Sequence, residues 1–168
     1  MDAKDLLLDL YGRIPAAAHA AVDGLDEDTL TARLDPQANS IAWLVWHLVR
    51  VQDDHVSEVA GHEQTWTADG WAGRFALPFD DGETGYGFDA DQVGRVRAGA
   101  DLLTGYLDAV QDRTTAYLRT LSDTDLDRVV DEQWDPPVTL GVRLVSVADD
   151  DLEHAAQAAF LRGVLERR

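Results

Sequence analysis

Four long segments of this chain place apolar residues three and four positions apart, and this spacing most strongly limits what the chain can fold into. Residues at this spacing share one face of an α-helix, and that face is buried against neighbouring helices. We therefore predict an all-α fold, a four-helix bundle with long crossover loops. The length fits a single domain over residues 1–168. The predicted helices cover approximately residues 2–22, 41–60, 89–121 and 140–166.

The ends of these segments carry residues that commonly begin and end helices. Ser40 and Thr139 are expected N-caps, because a hydroxyl there accepts a hydrogen bond from a free backbone amide. Gly61 is expected just after the second helix, where the left-handed conformation favours glycine. Pro15 lies inside the first helix and predicts a kink or a split there.

Three connections separate the predicted helices. Residues 24–39 are polar, and we expect a short turn of helix at 28–33. Residues 62–88 are rich in glycine, aspartate and aromatic residues, which predicts a long ordered loop, and loops of this length inside a domain are usually functional. Residues 122–139 contain two adjacent prolines that block a helix, so we predict a loop with a short strand.

The composition excludes several classes of function. The net charge is −18, whereas a protein that binds a phosphate backbone presents a basic patch, so nucleic acid is not an expected partner. The chain has no cysteine, which excludes disulfides, thiolate catalysis and cysteine-based zinc sites. No apolar run approaches the roughly 20 residues that span a bilayer, so no membrane is expected. The amino-terminal segment is acidic and lacks the basic start of a signal peptide, so we expect a cytoplasmic protein.

On the fourth predicted helix, His154 lies in the middle of the buried face. At 100° per residue, four apolar residues fall within about 40° of it: Val147, Ala158, Leu161 and Leu165. Asp150 and Asp151 stand four and three residues earlier, and either can lie beside His154, because Cβ atoms at these spacings are about 5–6 Å apart. A buried carboxylate must be paired or bind a cation. The arrangement indicates either metal ligands or a hydrogen-bonded core pair.

The second predicted helix offers two histidines as partners of His154. Its apolar face contains His55, whereas His47 lies at the border of that face, so periodicity alone favours His55. The two are eight residues apart, which is about 12 Å along a helix. Metal–nitrogen bonds are only about 2 Å long, so one metal cannot bind both. Either histidine could instead be a hydrogen-bonded core residue.

Other polar and aromatic residues have simpler interpretations. Asp53 and Asp54 are predicted to lie on a solvated helix face, and Arg50 and Arg74 are expected to be exposed, although either could meet a substrate carboxylate. The five tryptophans are expected to anchor the core and the loops.

Two segments resemble the DinB-like superfamily. The sequence NSIAWLVWHLVRVQDDHVSEVAG followed by HEQTW is similar to its second helix, and SVADDDLEHAAQAAFLRGVL is similar to its fourth. Within the superfamily the chain most resembles the actinobacterial branch of mycothiol-dependent maleylpyruvate isomerase and mycothiol S-transferases. A chain with Lys4 as its only lysine fits a GC-rich genome, although acidic, lysine-poor chains also occur in halophiles.

The resemblance implies a divalent metal between the second and fourth helices. The ligands in the family are a histidine on the second helix and, on the fourth, a histidine with an acidic residue or histidine four positions before it. These positions are His47, Asp150 and His154 here, and the matching tryptophan–histidine step selects His47 over His55. Many relatives have Glu or His in place of Asp150, so Asp151 or a water is an alternative third ligand.

The same resemblance implies a chemistry. Three protein ligands leave positions open on zinc or nickel, and a coordinated thiol is present as thiolate at neutral pH. Because the chain has no cysteine, the thiol must be a small-molecule cosubstrate, for which mycothiol is the candidate, and its partner an electrophilic substrate. The resemblance thus implies a thiol S-transferase or isomerase, with a homodimer as one assembly. The alternatives are a metallohydrolase at the same site and a non-catalytic metal- or ligand-binding stress protein.

Overall fold

The elements of the chain are almost all helical, as the apolar spacing predicts. The structure is a computed structural model that describes residues 1–167. In chain order the helices are α1 (Ala3–Val22), α2 (Glu27–Thr31), α3 (Ile41–Ala60), α4 (Thr65–Ala68), α5 (Trp71–Phe75), α6 (Ala90–Arg95), α7 (Ala100–Thr120) and α8 (Leu140–Leu165). A short 3-10 helix (Asp123–Asp127) and two strands, β1 (Val129–Asp131) and β2 (Val138–Thr139), lie between α7 and α8. The predicted all-α class is confirmed.

The four long helices, α1, α3, α7 and α8, form the bundle. Both α7 and α8 pack against α1 and α3, so each long helix lies between two others. The contact faces are aliphatic and aromatic, and each fully buried Leu, Ile or Val side chain contributes about 1.5–3 kcal/mol. Tyr11 on α1 is fully buried and its hydroxyl donates to the Leu144 carbonyl on α8 at 2.9 Å. This packing places α3 directly beside α8.

The predicted caps set the ends of these helices. The Ser40 hydroxyl accepts from the Trp43 amide at 3.1 Å, and α3 begins at the next residue. Gly61 ends α3 with φ 74°, a left-handed conformation that glycine adopts without steric cost. Thr139 likewise accepts from the Val142 amide and begins α8.

The third predicted helix is two helices, so the prediction of one continuous helix was wrong. Residues 96–99 separate α6 from α7 in an extended conformation. Val96 and Ala98 are both buried while Arg97 between them is exposed, an alternation that an extended chain allows and a helix does not. Gly99 is the last residue before α7 and is still extended. Glycine costs about 1 kcal/mol inside a helix, so it favours a position outside one.

Pro15 does not split α1, which is continuous from Ala3 to Val22. Of the predicted kink or split, the split is therefore wrong, and the kink stays a prediction. The short helix predicted at 28–33 is present slightly earlier, as α2. No helix within residues 1–167 is long and apolar enough to cross a membrane.

The two long connections are ordered and carry their own structure. Residues 62–88 contain α4 and α5, whose Trp66, Trp71 and Phe75 side chains are buried against the bundle. The connection before α8 forms the predicted strand structure, an antiparallel hairpin of β1 and β2. Its turn carries Trp134, the exposed member of the five tryptophans, while the other four are buried core and loop anchors.

Candidate metal centre

His47 of α3 and two residues of α8, Asp150 and His154, come together where the two helices pack. Each offers one ligand atom, and these atoms all lie within 4.8 Å of one another. The His47 side chain is buried, and the other two are partly buried. The imidazole rings of His47 and His154 are 5.0 Å apart between centroids, and Trp43 stacks on His47 at 4.6 Å. We call these three residues the His–Asp–His group.

The loop over α3 fixes which nitrogen of His47 is free. Its Nδ1 lies 2.6 Å from the Thr84 carbonyl oxygen. A carbonyl oxygen only accepts, so Nδ1 carries the proton and Nε2 keeps its lone pair. Gly85 makes this approach feasible, because a Cβ at that residue would lie 2.9 Å from both His47 Nδ1 and the Trp46 ring.

His154 is oriented by the same logic. Its Nδ1 lies 3.0 Å from the Gln157 side-chain oxygen, an acceptor, which favours the tautomer of the neutral ring that leaves the lone pair on Nε2. That Nε2 is 3.6 Å from one oxygen of Asp150, beyond hydrogen-bonding distance. The other Asp150 oxygen is shielded from solvent and has no hydrogen-bond partner among the described residues.

This donor set fits a divalent cation. Each residue offers an atom of a kind that binds divalent cations, an imidazole nitrogen or a carboxylate oxygen, and one Asp150 oxygen has no hydrogen-bond partner among the described residues. Metal–ligand bonds of about 2.0–2.2 Å place two ligands of a tetrahedral ion about 3.3–3.6 Å apart, close to the His154–Asp150 spacing. Imidazole nitrogen suits zinc, copper, iron and nickel alike.

Burial favours the ligand form of His47. Desolvation by burial lowers its pKa, and so does the neighbouring His154, while the Thr84 carbonyl and Asp150 oppose the shift. Neutral imidazole is the form that binds a metal. At neutral pH His47 therefore presents its lone pair without first losing a proton.

His55 lies outside the group, so the periodicity argument that favoured it was wrong. Its Nδ1 accepts a hydrogen bond from the Arg143 guanidinium at 2.8 Å, and burial and that positive charge lower its pKa. Periodicity failed because residues 41–50 are all buried, on every face of the helix, beneath the loop of residues 62–88.

Asp151, the alternative third ligand, lies outside the group. Its side chain is fully buried, and its charge influences Tyr11 of α1. Burial, and then the charge of Asp150, raise the pKa of the Asp151 carboxyl well above its usual value. Asp150, one residue earlier, points along the α3 side of the same helix.

A cavity of about 570 Å³ opens beside the group. His47 and Asp150 lie in its wall, and His55 and Arg143 lie in the wall as well. Both long connections contribute: Thr84 and Tyr86 come from residues 62–88, and Trp134 comes from the hairpin. The volume is typical of a small-molecule site.

Sequence reasoning missed a buried polar network one turn along α3. Arg50 was expected to be exposed and Asp53 to lie on a solvated face, and both expectations are wrong, since each is buried. Asp53 accepts from the Tyr106 hydroxyl at 2.7 Å and from the amides of Thr65 and Trp66 at 2.8 and 2.7 Å.

Arg50 ties the same loop to α3 from the other side. Its guanidinium donates to the carbonyls of Asp81 and Glu83, at 3.2 and 3.1 Å, and to the Gln64 side chain at 2.8 Å. These two residues come three and one positions before Thr84, whose own carbonyl accepts a hydrogen bond from His47 Nδ1. The i,i+3 spacing of Arg50 and Asp53 was the available signal for a pair on one helix face.

The sequence profile of the DinB superfamily matches residues 10–158. The chain belongs to the DinB superfamily. Members of this superfamily bind metal ions, and the His–Asp–His group of this DinB protein is arranged to do so. None of the curated proteins compared with it matches the chain.

A solved structure has the same fold over the whole chain. The crystal structure of a conserved protein from Enterococcus faecalis superposes with a TM-score of 0.93 and is 28% identical in sequence. The match covers 100% of this DinB chain and 99% of the other chain. Neither comparison places the chain in the mycothiol-dependent branch of the superfamily.

Proposed function

We propose that this DinB protein is a divalent-metal-dependent thiol S-transferase or isomerase that uses mycothiol as its thiol cosubstrate. His47, Asp150 and His154 are the proposed ligands of zinc or nickel. The observation that carries the proposal is that ligand atoms of these three residues lie within 4.8 Å of one another, beside a cavity of ligand size whose wall includes His47 and Asp150.

Some residues of the chain orient the proposed metal ligands, and others form the walls of the cavity. Thr84 and Gln157 fix the two imidazoles so that both Nε2 lone pairs are free. Asp150 supplies one negative charge, which partly neutralises a divalent ion and leaves it attractive to an anionic ligand. Residues 62–88 and the hairpin form sides of the cavity through Thr84, Tyr86 and Trp134.

A bound divalent ion would lower the pKa of a coordinated thiol, so that the thiol is present as its thiolate at neutral pH. The chain has no cysteine, so this sulfur must arrive with a cosubstrate. The sulfur then forms a bond to an electrophilic carbon, and the thiol proton passes to solvent. Loss of the same sulfur after rotation about the adduct's carbon–carbon bond would give isomerisation instead.

The test is turnover of an electrophile with and without thiol. We would follow chlorodinitrobenzene and methyl vinyl ketone with protein loaded with zinc or nickel, adding mycothiol, glutathione or no thiol. We expect conversion that requires mycothiol and falls to the uncatalysed rate in His154→Gln. The matched control is His62→Gln, since His62 is exposed and lies outside both the group and the cavity.

The outcomes separate the competing functions. Conversion that requires glutathione but not mycothiol would contradict the cosubstrate. Hydrolysis of ester or amide substrates without any thiol would overturn the transferase and assign water as the nucleophile, as in a metallohydrolase. Metal binding without turnover of any substrate would leave a binding protein.

A further inference from the structure

The exposed wall of the cavity beside the His–Asp–His group is mainly apolar, and four valines contribute to it. Val51 contributes from α3, and Val138, Val142 and Val147 contribute from β2 and α8. Such side chains offer no hydrogen bonds, and covering them releases water from apolar surface. The wall therefore favours an apolar ligand surface over a polar one.

Two aromatic side chains stand at this cavity in unusually exposed positions. Tyr86 is 88% exposed and Trp134 is 65% exposed, and they come from different connections. Tyr86 lies between Gly85 and Gly87, whose φ angles of 94° and 74° are left-handed and suit glycine. The Tyr86 side chain is therefore exposed, and packing against the protein core contributes little to its position.

The charged groups of the wall outside the His–Asp–His group already have partners. The Arg143 guanidinium donates to His55 at 2.8 Å and to Asp131 at 3.1 Å. Asp54 accepts from the Gln64 side chain at 2.6 Å. A charged substrate would have to break one of these pairs to find a counter-charge, which costs free energy in a half-buried wall.

We propose that the electrophilic substrate is an uncharged, planar, apolar molecule, an aromatic electrophile, whose ring packs against Tyr86 and Trp134. The proposal rests on the thiol-transfer function proposed above. For an aryl halide the step is a substitution. The thiol sulfur bonds to the ring carbon, the halide leaves with the bonding electron pair, and the thiol proton passes to solvent.

A binding experiment tests this without requiring turnover. Amide proton–nitrogen NMR spectra of the protein as purified would be titrated with naphthylmethanol, with naphthalenesulfonate and with cyclohexylmethanol. The sulfonate adds a negative charge that coordinates metals weakly, and the cyclohexyl compound removes planarity. We expect naphthylmethanol to shift the signals of cavity residues and to bind about 3–10-fold more tightly than either of the others, the ratio expected from one good aromatic contact.

Variants assign the contact. Trp134→Ala and Tyr86→Ala should each weaken naphthylmethanol binding about 3–10-fold. Both side chains are exposed, so neither change empties the core, and thermal unfolding would verify the fold. The matched control is Phe160→Ala, because Phe160 is also exposed, at 69%, but lies outside the cavity. Its variant should bind as the unchanged protein does.

Any of three results in the binding experiments would overturn the proposal. These are tighter binding of the sulfonate with shifts at Arg143, shifts away from the cavity, or unchanged binding in both aromatic variants. Naphthylmethanol binding without thiol-dependent turnover would reject the proposed function and keep the ligand class. Thiol-dependent turnover without naphthylmethanol binding would reject the ligand class alone.

Discussion

At the scale of single residues, Asp53 connects three helices, α3, α4 and α7, and no sequence pattern indicates this role. Its carboxylate accepts from Tyr106 on α7 and from two amides at the start of α4, and Arg50 lies 3.9 Å away. A buried carboxylate that stays ionised needs partners of this kind, because an isolated buried charge is costly. The same partners hold the first part of the loop that covers α3.

We predict that Asp53→Asn lowers the free energy of unfolding by about 3–5 kcal/mol, because it removes one member of a buried charge pair. The amide also places a donor against groups that already donate. Urea unfolding followed by circular dichroism measures the change. Asp9→Asn is the control, since Asp9 pairs with Arg13 on the surface and should change little. A loss below about 1 kcal/mol for Asp53→Asn would contradict the role given to this network.

A second residue-scale prediction concerns pH. The Asp108 carboxylate on α7 lies 2.8 Å from the His19 imidazole on α1, and this hydrogen bond raises the pKa of His19 above 6.5. A raised pKa means that the folded state holds the proton more tightly than the unfolded state. The pair therefore stabilises the fold below pH 6.5, and this contribution is lost as the pH rises through the pKa of the folded protein.

In Asp108→Asn we expect the pKa of His19, measured by proton NMR, to fall towards 6.5. The stability difference between this variant and the unchanged protein should be largest under mildly acidic conditions and should disappear in mildly alkaline buffer. A difference that grows with pH would show the opposite linkage.

Individual residues were the least predictable part of the molecule. Arg50 and Asp53 are buried because the loop of residues 62–88 folds back over α3. No local sequence pattern predicts this path of the loop. His47 lies in a stretch that is buried on every face, so helical periodicity could not distinguish it from His55. His47 was predicted as the metal ligand because the sequence around it resembles the second helix of the DinB superfamily.

At the scale of elements, the loop of residues 62–88 is what connects the fold to the His–Asp–His group. Arg50 holds its carbonyls at 81 and 83, and the next carbonyl, at Thr84, fixes the tautomer of His47. Partners that orient a metal ligand in this way commonly change metal affinity about 10–100-fold when removed. The loop therefore acts on the candidate metal centre without offering a ligand side chain of its own.

We predict that Gly85→Ala weakens metal binding about 10–100-fold while the bundle stays folded. The added Cβ would lie 2.9 Å from His47 Nδ1 and from the Trp46 ring, and the φ of 94° strains any side chain, so the loop must move away. Calorimetric titration with zinc measures the affinity. Gly82→Ala, in the same loop but in open space, is the control. Equal metal affinity in both variants would show that the loop does not affect the candidate metal centre.

Elements were largely predictable where local chemistry decides them. Ser40, Gly61 and Thr139 set helix ends by their own hydrogen bonds and conformations, so α3 and α8 begin and end as expected. The break between α6 and α7 was not predictable from spacing, since Val93, Val96 and Leu103 continue a helical apolar pattern across it. Packing of the extended residues 96–99 against the bundle outweighed that pattern.

At the scale of the whole molecule, the bundle brings distant parts of the chain together. His47 and His154 are more than one hundred residues apart in sequence, and they meet because α3 and α8 are neighbours. The all-α class followed from apolar spacing alone, whereas the neighbour relation of the helices came from resemblance to the DinB superfamily. The single domain over residues 1–168, the homodimer and the mycothiol cosubstrate stay predictions.

The most direct test of the account is the metal content of protein purified without a histidine tag, measured by elemental mass spectrometry. We predict near-stoichiometric zinc or nickel in the unchanged protein, its loss in His47→Ala and His154→Ala, and its retention in His55→Ala. The three variants each remove one imidazole, and His55→Ala is the control outside the His–Asp–His group. Metal retained in His47→Ala, or no metal bound by the unchanged protein even after titration, would contradict the candidate metal centre and the thiol chemistry built on it.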